Sequence, residues 1–382
     1  MQSFENGPFS TPTTTSETMS QQDVIDWFRN TGLLQQRTIT TINMIPLRKV
    51  AALITLDDGQ AFFMKQMFST QILTRASMVY GFTPLTNMSS RETELLQYVF
   101  NHDEMNACRP SITPLHHIDY EKNILVTEGL KEYQTLQEYC QFYPPEERRV
   151  QQRIAVQLAQ FHQLSMLNAC QQEHRLYLRP PIPSYGHITP RVFANAVGRD
   201  YPRYLQSIQS VNDDLRILKQ IWQPICLIHG DFKCDNILIR QENNDNLTVK
   251  FIDWELSGWG DPLWDLGSLI GHYLLYWVMS ISIDSPTTLA SWIEHAHVPF
   301  HQFQNAASTF VQEYFLAAPS LQIETSLISI TRYIGLFLIH RAQVILETVG
   351  SMNSHVYCCL FIGKNLLQRP ASMRNILFAE TL

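Results

Sequence analysis

Residues 229 to 236 read His-Gly-Asp-Phe-Lys-Cys-Asp-Asn, and Ile252-Asp253-Trp254-Glu255 follows one short hairpin later. Asp231 is a carboxylate that can aim a hydroxyl group and take its proton. Asn236 adds an amide oxygen, and Asp253 adds a second carboxylate. Hard oxygen donors of this kind can hold Mg2+ against the β- and γ-phosphates of a nucleotide. Lys233 is a cation able to offset charge on a transferred phosphoryl group; a loop lysine facing water is the competing reading. The order and spacing predict phosphoryl transfer, with His229, Asp231 and Lys233 as catalytic candidates and Asn236 and Asp253 as metal ligands. The plain alternative is a turn in which His229, Asp231 and Asn236 only satisfy backbone groups.

Such side chains need a frame, and the flanking residues predict one. Ile225 to Ile228 is an apolar strand entering the loop, and Ile237-Leu238-Ile239 is a strand leaving it. Asn243-Asn244-Asp245-Asn246 turns the chain, and Val249 to Ile252 returns it, so that Asp253 falls at the end of the hairpin.

Three blocks, His229-x-Asp231-x-x-x-x-Asn236, Ile252-Asp253-Trp254-Glu255 and Asp261-Pro262-Leu263-Trp264-Asp265-Leu266-Gly267, together resemble the aminoglycoside phosphotransferase and choline kinase group, small-substrate relatives of protein kinases. The resemblance implies an α+β, bilobal protein-kinase-like fold. Its N-lobe would be a small antiparallel sheet with one long helix, and its C-lobe larger and mainly helical. It implies ATP and Mg2+ as cofactors and a hydroxyl-bearing acceptor. It also gives Asp265 a supporting role, accepting hydrogen bonds from the catalytic-loop backbone. Asp261 reads as the cap of a helix that begins near Pro262.

A nucleotide-holding lobe is legible upstream. Val50 to Leu56 and Ala61 to Gln66 are β-rich runs joined by Asp57-Asp58-Gly59, a hairpin signal, which puts Lys65 on the second strand. By the resemblance, Lys65 contacts the α- and β-phosphates. Glu92, or failing it Glu94, fixes that lysine from the helix after Ser89-Ser90. The backbone at Thr127, Glu128 and Gly129 bonds the adenine. Taken alone, Lys65 reads as a solvated strand lysine. One departure stands out: Ile42 to Arg48, in the place of the family's phosphate-covering loop, has no glycine or serine, and only Asn43 and Arg48 are polar.

Beyond the hinge the pattern turns helical. Val150, Ile154, Leu158, Phe161 and Leu164 recur at helical spacing, and His162 beside them reads as a core histidine. Leu266 to Ile283 is strongly apolar, but His272 and serines interrupt it, so it reads as a buried helix. His295, His297 and His301 with Glu294 have metal-binding residue types without a metal site's spacing.

The 382 residues suffice for two lobes, and 28 basic against 35 acidic residues give a net charge of −7, which argues against nucleic-acid binding. Seven scattered cysteines without a Cys-x-x-Cys pair, and no signal pattern, predict a cytoplasmic protein with no membrane partner. The expected organisation is a flexible tail over 1–20, a nucleotide-binding N-lobe over 21–129 and a C-lobe over 130–382 carrying the catalytic loop, metal and acceptor sites. Ser20 is expected to cap the first helix. Three functional readings follow. The first is a Mg2+-dependent kinase acting on a small, possibly amino-bearing alcohol, with acceptor contacts near Asp284 or Glu294. The second is a Ser/Thr kinase acting on precursor peptides of lanthipeptide-like products, paired with a lyase. The third is an inactive nucleotide-binding scaffold.

Overall fold

The computed structural model describes residues 19–46, 50–66, 88–142, 147–167, 181, 200–243, 246–282, 295–320 and 323–378. Residues 1–18 of the expected tail, Arg48, Asp284 and Glu294 lie outside these residues. The chain divides into two compact units, one formed by residues 1–68 and 117–129 and the other by 69–116 and 130–382.

The first unit is a sheet with one helix. Helix α1 (Gln21–Asn30) starts at Ser20, whose side chain and that of Asp23 exchange hydrogen bonds with each other's backbone, the capping box expected there. Strands β1 (Ile39–Pro46), β2 (Val50–Leu56), β3 (Ala61–Gln66), β4 (Leu115–Asp119) and β5 (Ile124–Glu128) form a sheet in the order β1-β2-β3-β5-β4. Strands β1, β2, β3 and β5 pair antiparallel. The β2–β3 turn closes at Gly59, whose φ of +87° suits glycine. Val24, Trp27 and Phe28 of α1 pack with Ile54, Phe62, Met64 and Val126 into the unit's core.

The second unit is mainly helical. Helix α2 (Met88–Asn101) packs against the 3₁₀ turn Trp254–Leu256, and so residues 69–116 group with this unit although the expected 21–129 boundary places them with the sheet. After β6 (Gln134–Thr135), α3 (Leu136–Phe142), α4 (Arg148–Leu167), α5 (Tyr201–Gln209) and α6 (Asn212–Ile221) come the short strand β7 (Cys226–Ile228) and the hairpin β8 (Ile237–Asn243) and β9 (Asn246–Phe251). Strand β10 (Gly258–Gly260) then pairs antiparallel with β7, a pairing that three residues rich in glycine do not announce. Helices α7 (Pro262–Met279), α8 (Phe300–Ala317), α9 (Ile323–Val349), α10 (Ser354–Gln368) and α11 (Pro370–Leu377) complete the unit. Helix α7 is buried along nearly its whole length, as its apolar run predicts, and no described helix is long and apolar enough to cross a membrane.

Candidate active site

Three constraints set the loop that follows β7. The Asp265 carboxyl, fully buried near the start of α7, accepts the N–H groups of His229 at 2.7 Å and Gly230 at 3.0 Å. Gly230 adopts φ +82°, and a Cβ there would lie 2.2 Å from the Leu256 carbonyl oxygen, so only glycine fits. The Trp264 indole N–H donates to the Gly230 carbonyl at 2.9 Å. Asp265 thus has the supporting role the resemblance implied. Asp265 is in turn steadied by His162 Nε2 at 3.2 Å, whose Nδ1 lies 2.8 Å from the Tyr314 hydroxyl. His162 is a hydrogen-bonded core residue, as expected.

His229 is also structural in its contacts. Its Nε2 donates to the Ile252 carbonyl at 2.9 Å, and its Nδ1 faces the Asp231 N–H at 3.4 Å. The ring is fully buried and packs against Trp254 with centroids 4.4 Å apart and the planes tilted by 36°. With both nitrogens engaged by backbone, His229 ties the loop to the residue before Asp253, as in the backbone-satisfying alternative to its catalytic candidacy.

The remaining four side chains converge. Lys233 Nζ lies 2.5 Å from Asp231 Oδ2, and the Asn236 amide donates to the same oxygen at 3.2 Å and to the Asp231 carbonyl at 2.9 Å. Asp231 keeps about a fifth of its side chain exposed, enough to meet an acceptor. Burial favours the neutral form of Lys233, but the Asp231 and Asp253 carboxylates outweigh it and raise the ammonium's pKa, while Arg341 opposes them. Lys233 is therefore an ion-paired cation of the loop and not a water-facing one. The Ile252 N–H donates to the Asn236 carbonyl at 3.0 Å, which places Asn236, just before β8, beside the chain that leaves β9 for Asp253. Asp253 itself adopts φ 66° and ψ 58°, a left-handed conformation that aspartate tolerates better than most residues and that turns the chain off its strand at that point.

This donor set fits Mg2+. With its Nδ2 given to Asp231, Asn236 has its Oδ1 to offer, and Asp253 adds a carboxylate. Among the described residues no group of three or more His, Cys, Asp or Glu side chains could hold a metal alone.

Two buried residues complete the support. His272 Nδ1 accepts the Cys234 N–H at 2.9 Å, fastening the middle of the loop to α7. Burial first, then the charges of Arg341 and Lys233, lower the His272 pKa to about 3, so the ring stays neutral and keeps that acceptor at any working pH. Asp261 caps α7 as expected, accepting from Leu263 N–H at 3.0 Å, and it also accepts from the Tyr333 hydroxyl at 2.7 Å and Gln223 N–H at 3.2 Å. Burial raises its carboxyl from 3.8 to about 6 against these hydrogen bonds. A folded-state pKa above the unfolded one means the folded protein holds a proton the unfolded chain has released. That stabilisation is complete below about pH 4 and is lost as pH rises through about 6. The unfolding free energy of the wild type, taken relative to Asp261→Asn, is expected to drop by about 1–2 kcal/mol between about pH 5 and about pH 7.5. Urea titrations of both proteins at the two pH values check it, and a flat or rising difference would contradict it.

The nucleotide-side candidates sit as follows. Lys65 is buried on β3, 6% exposed, opposite Ala51 and Leu125, which removes the solvated-lysine reading. In α2, Glu92 is buried and Glu94 exposed, so Glu92 is the one turned into the protein. Thr127 and Glu128 lie on β5 opposite Phe63 and Phe62. The Gly129 N–H donates to Ala61 O at 2.8 Å, and a Cβ there would meet Ala61 at 2.7 Å. Gly129 is thus needed for close packing, and its N–H is spent on the sheet. Asn43 and its neighbours lie within β1, and residues 47–49 lie outside those described.

Sequence reasoning missed His272 as a support of the loop. The available signal was a polar residue interrupting an apolar helix.

Residues 88–294, more than half of the chain, match the model of the phosphotransferase enzyme family, APH. Ethanolamine kinase 1 of Homo sapiens is 27% identical over 125 residues, 31% of this chain and 26% of that protein. Acyl-CoA dehydrogenase family member 11 of Mus musculus is 40% identical over 74 residues, 19% of this chain and 8% of that protein. The chain therefore spans well under half the length of either relative. Among solved structures, choline kinase LicA from Streptococcus pneumoniae is similar in fold, with a TM-score of 0.51 and 14% identity, covering 91% of this chain and 99% of that one.

Proposed function

This chain belongs to the phosphotransferase enzyme family, and on that premise we propose that it transfers the γ-phosphoryl group of ATP to a hydroxyl group of a small molecule in a Mg2+-dependent reaction. The observation that carries the proposal is the single Asp231 carboxylate oxygen shared by Lys233 at 2.5 Å and Asn236 at 3.2 Å. A carboxylate whose Oδ2 is held from two sides presents its remaining acceptor sites to an alcohol in a fixed orientation.

In this reading Asp231 orients the acceptor hydroxyl and takes its proton as the oxygen attacks. Lys233 balances Asp231 and faces the charge of the moving phosphoryl group. Asn236 and Asp253 hold Mg2+, which neutralises the β- and γ-phosphate oxygens when bound. Lys65 contacts the α- and β-phosphates, and the backbone of Thr127 and Glu128 meets the adenine. His229 keeps Asp231 and Asp253 in register.

The test is incubation with ATP and Mg2+ across alcohols, sugars, amino alcohols and Ser/Thr peptides, with mass spectrometry for a gain of one phosphate. A small alcohol is expected to gain it, and Asp253→Ala is expected to lower that turnover by at least about 100-fold. Transfer to peptides alone would move the acceptor class to the precursor-peptide reading and its partner lyase. Mg2+-dependent ATP binding without turnover in any class would leave a nucleotide-binding scaffold and end the proposal.

A further inference from the structure

We infer that Arg341 recognises the acceptor and that the acceptor is a hydroxyl-bearing organic anion, a carboxylate on an apolar body; this rests on the phosphotransfer reading above. Arg341 lies in α9, one helical turn after Phe337, whose ring packs on His272 with centroids 6.0 Å apart. Helix side chains lean toward the N-terminus, so residue 341 reaches back over Phe337 toward His272 and the loop that His272 fastens. Its charge is felt there: after burial it is the leading cause of the low His272 pKa, and it opposes the rise at Lys233.

Among the described residues Arg341 has no hydrogen-bond or ion-pair partner, and its Nε is buried and unsatisfied. Arg332, on the same helix, is by contrast engaged by the Leu367 carbonyl at 3.3 Å and Asp214 at 3.9 Å. A buried guanidinium N–H without an acceptor is costly, and a planar carboxylate relieves that cost with two parallel hydrogen bonds.

The neighbouring space suits the rest of such a molecule. A cavity of about 460 Å³, its open mouth included, is lined by Cys234, His272, Tyr273, Trp277 and Phe303 among others, and none of the described residues lining it is acidic. His272, shared between this cavity and the Phe337–Arg341 face, is neutral. The described lining residues offer an ammonium no carboxylate, whereas a hydrocarbon or aromatic body would find apolar walls.

Three isosteric probes separate the possibilities: 4-(hydroxymethyl)benzoate, its amide, and 4-(aminomethyl)benzyl alcohol, each with ATP and Mg2+. The benzoate is expected to exceed the amide by at least roughly 30-fold in kcat/KM. Arg341→Gln is expected to erase that preference by raising the benzoate KM roughly 30-fold or more, with the ATP KM within about threefold and Arg341→Lys restoring part of the loss. Thermal stabilisation by the same probes, in the presence of Mg2+ and a non-hydrolysable ATP analogue, reads binding without turnover. Equal or better use of the amide or the amine overturns the inference and leaves phosphotransfer standing. An Arg341→Gln effect on the ATP KM alone also overturns it, as does the absence of any benzoate-selective turnover or stabilisation. Benzoate-selective stabilisation lost in Arg341→Gln, with no phosphorylated product, upholds the inference and counts against the phosphotransfer reading.

Discussion

Asp231→Asn is expected to lower kcat by about 10³-fold while leaving the ATP KM within a few-fold and the melting temperature nearly unchanged. The substitution keeps the side chain's volume and one acceptor oxygen, and the Asn236 amide retains the Asp231 carbonyl as its partner at 2.9 Å. What it removes is the basic oxygen that Lys233 and Asn236 jointly orient. Lys233 still has the Asp253 carboxylate in its surroundings, which limits the cost of losing its nearest partner. The measurement is steady-state turnover with ADP release, alongside nucleotide binding and thermal melting. Turnover within about tenfold of wild type would remove Asp231 from the reaction.

Asp265→Ala is expected to act on the fold first. It leaves the buried N–H groups of His229 and Gly230 without acceptors and strips His162 Nε2 of its partner, at a cost of roughly 3–5 kcal/mol. In a unit of this size that corresponds to a melting temperature lower by roughly 10 °C. Activity should fall with it even below the melting point, because Gly230 precedes Asp231 and its left-handed conformation is held from both sides. Asp265→Asn keeps the shape but turns an N–H donor toward one of the two amides, so it should recover only part of the stability. Thermal melting and urea unfolding of the two variants decide the matter; a shift below about 2 °C for the alanine variant would mean that the loop does not depend on this carboxyl.

How far such a site is legible beforehand depends on how local its causes are. Strands β7, β8 and β9, the cap at Asp261 and the order of Asp231, Asn236 and Asp253 follow from neighbours within a few residues, and residue type and spacing report them, whereas the conformation of the β7–β8 loop is held by the distant Asp265, Leu256 and Trp264. The role of Asp265 came through the resemblance and the structure upholds it. His229 was legible as a member of the site, but the backbone group it meets was not, since its Nε2 acceptor, the Ile252 carbonyl, is 23 residues away. The grouping of α2 with the helices was not legible either, because it follows from a surface that exists only once Trp254–Leu256 has folded into a turn.

The sequence by itself determined the chemistry available to this protein: which oxygens and cations occur, their order along the chain, and the strands and turn that present them, all consequences of backbone preference and short-range hydrogen bonding. The tertiary structure alone decided which polar groups are satisfied and which are not. It gave the Cys234 N–H to His272 and the two loop amides to Asp265, and it brought Arg341 to the same region with its Nε unsatisfied. Burial and pairing are properties of packed neighbours far apart in the chain, and no periodicity or spacing encodes them.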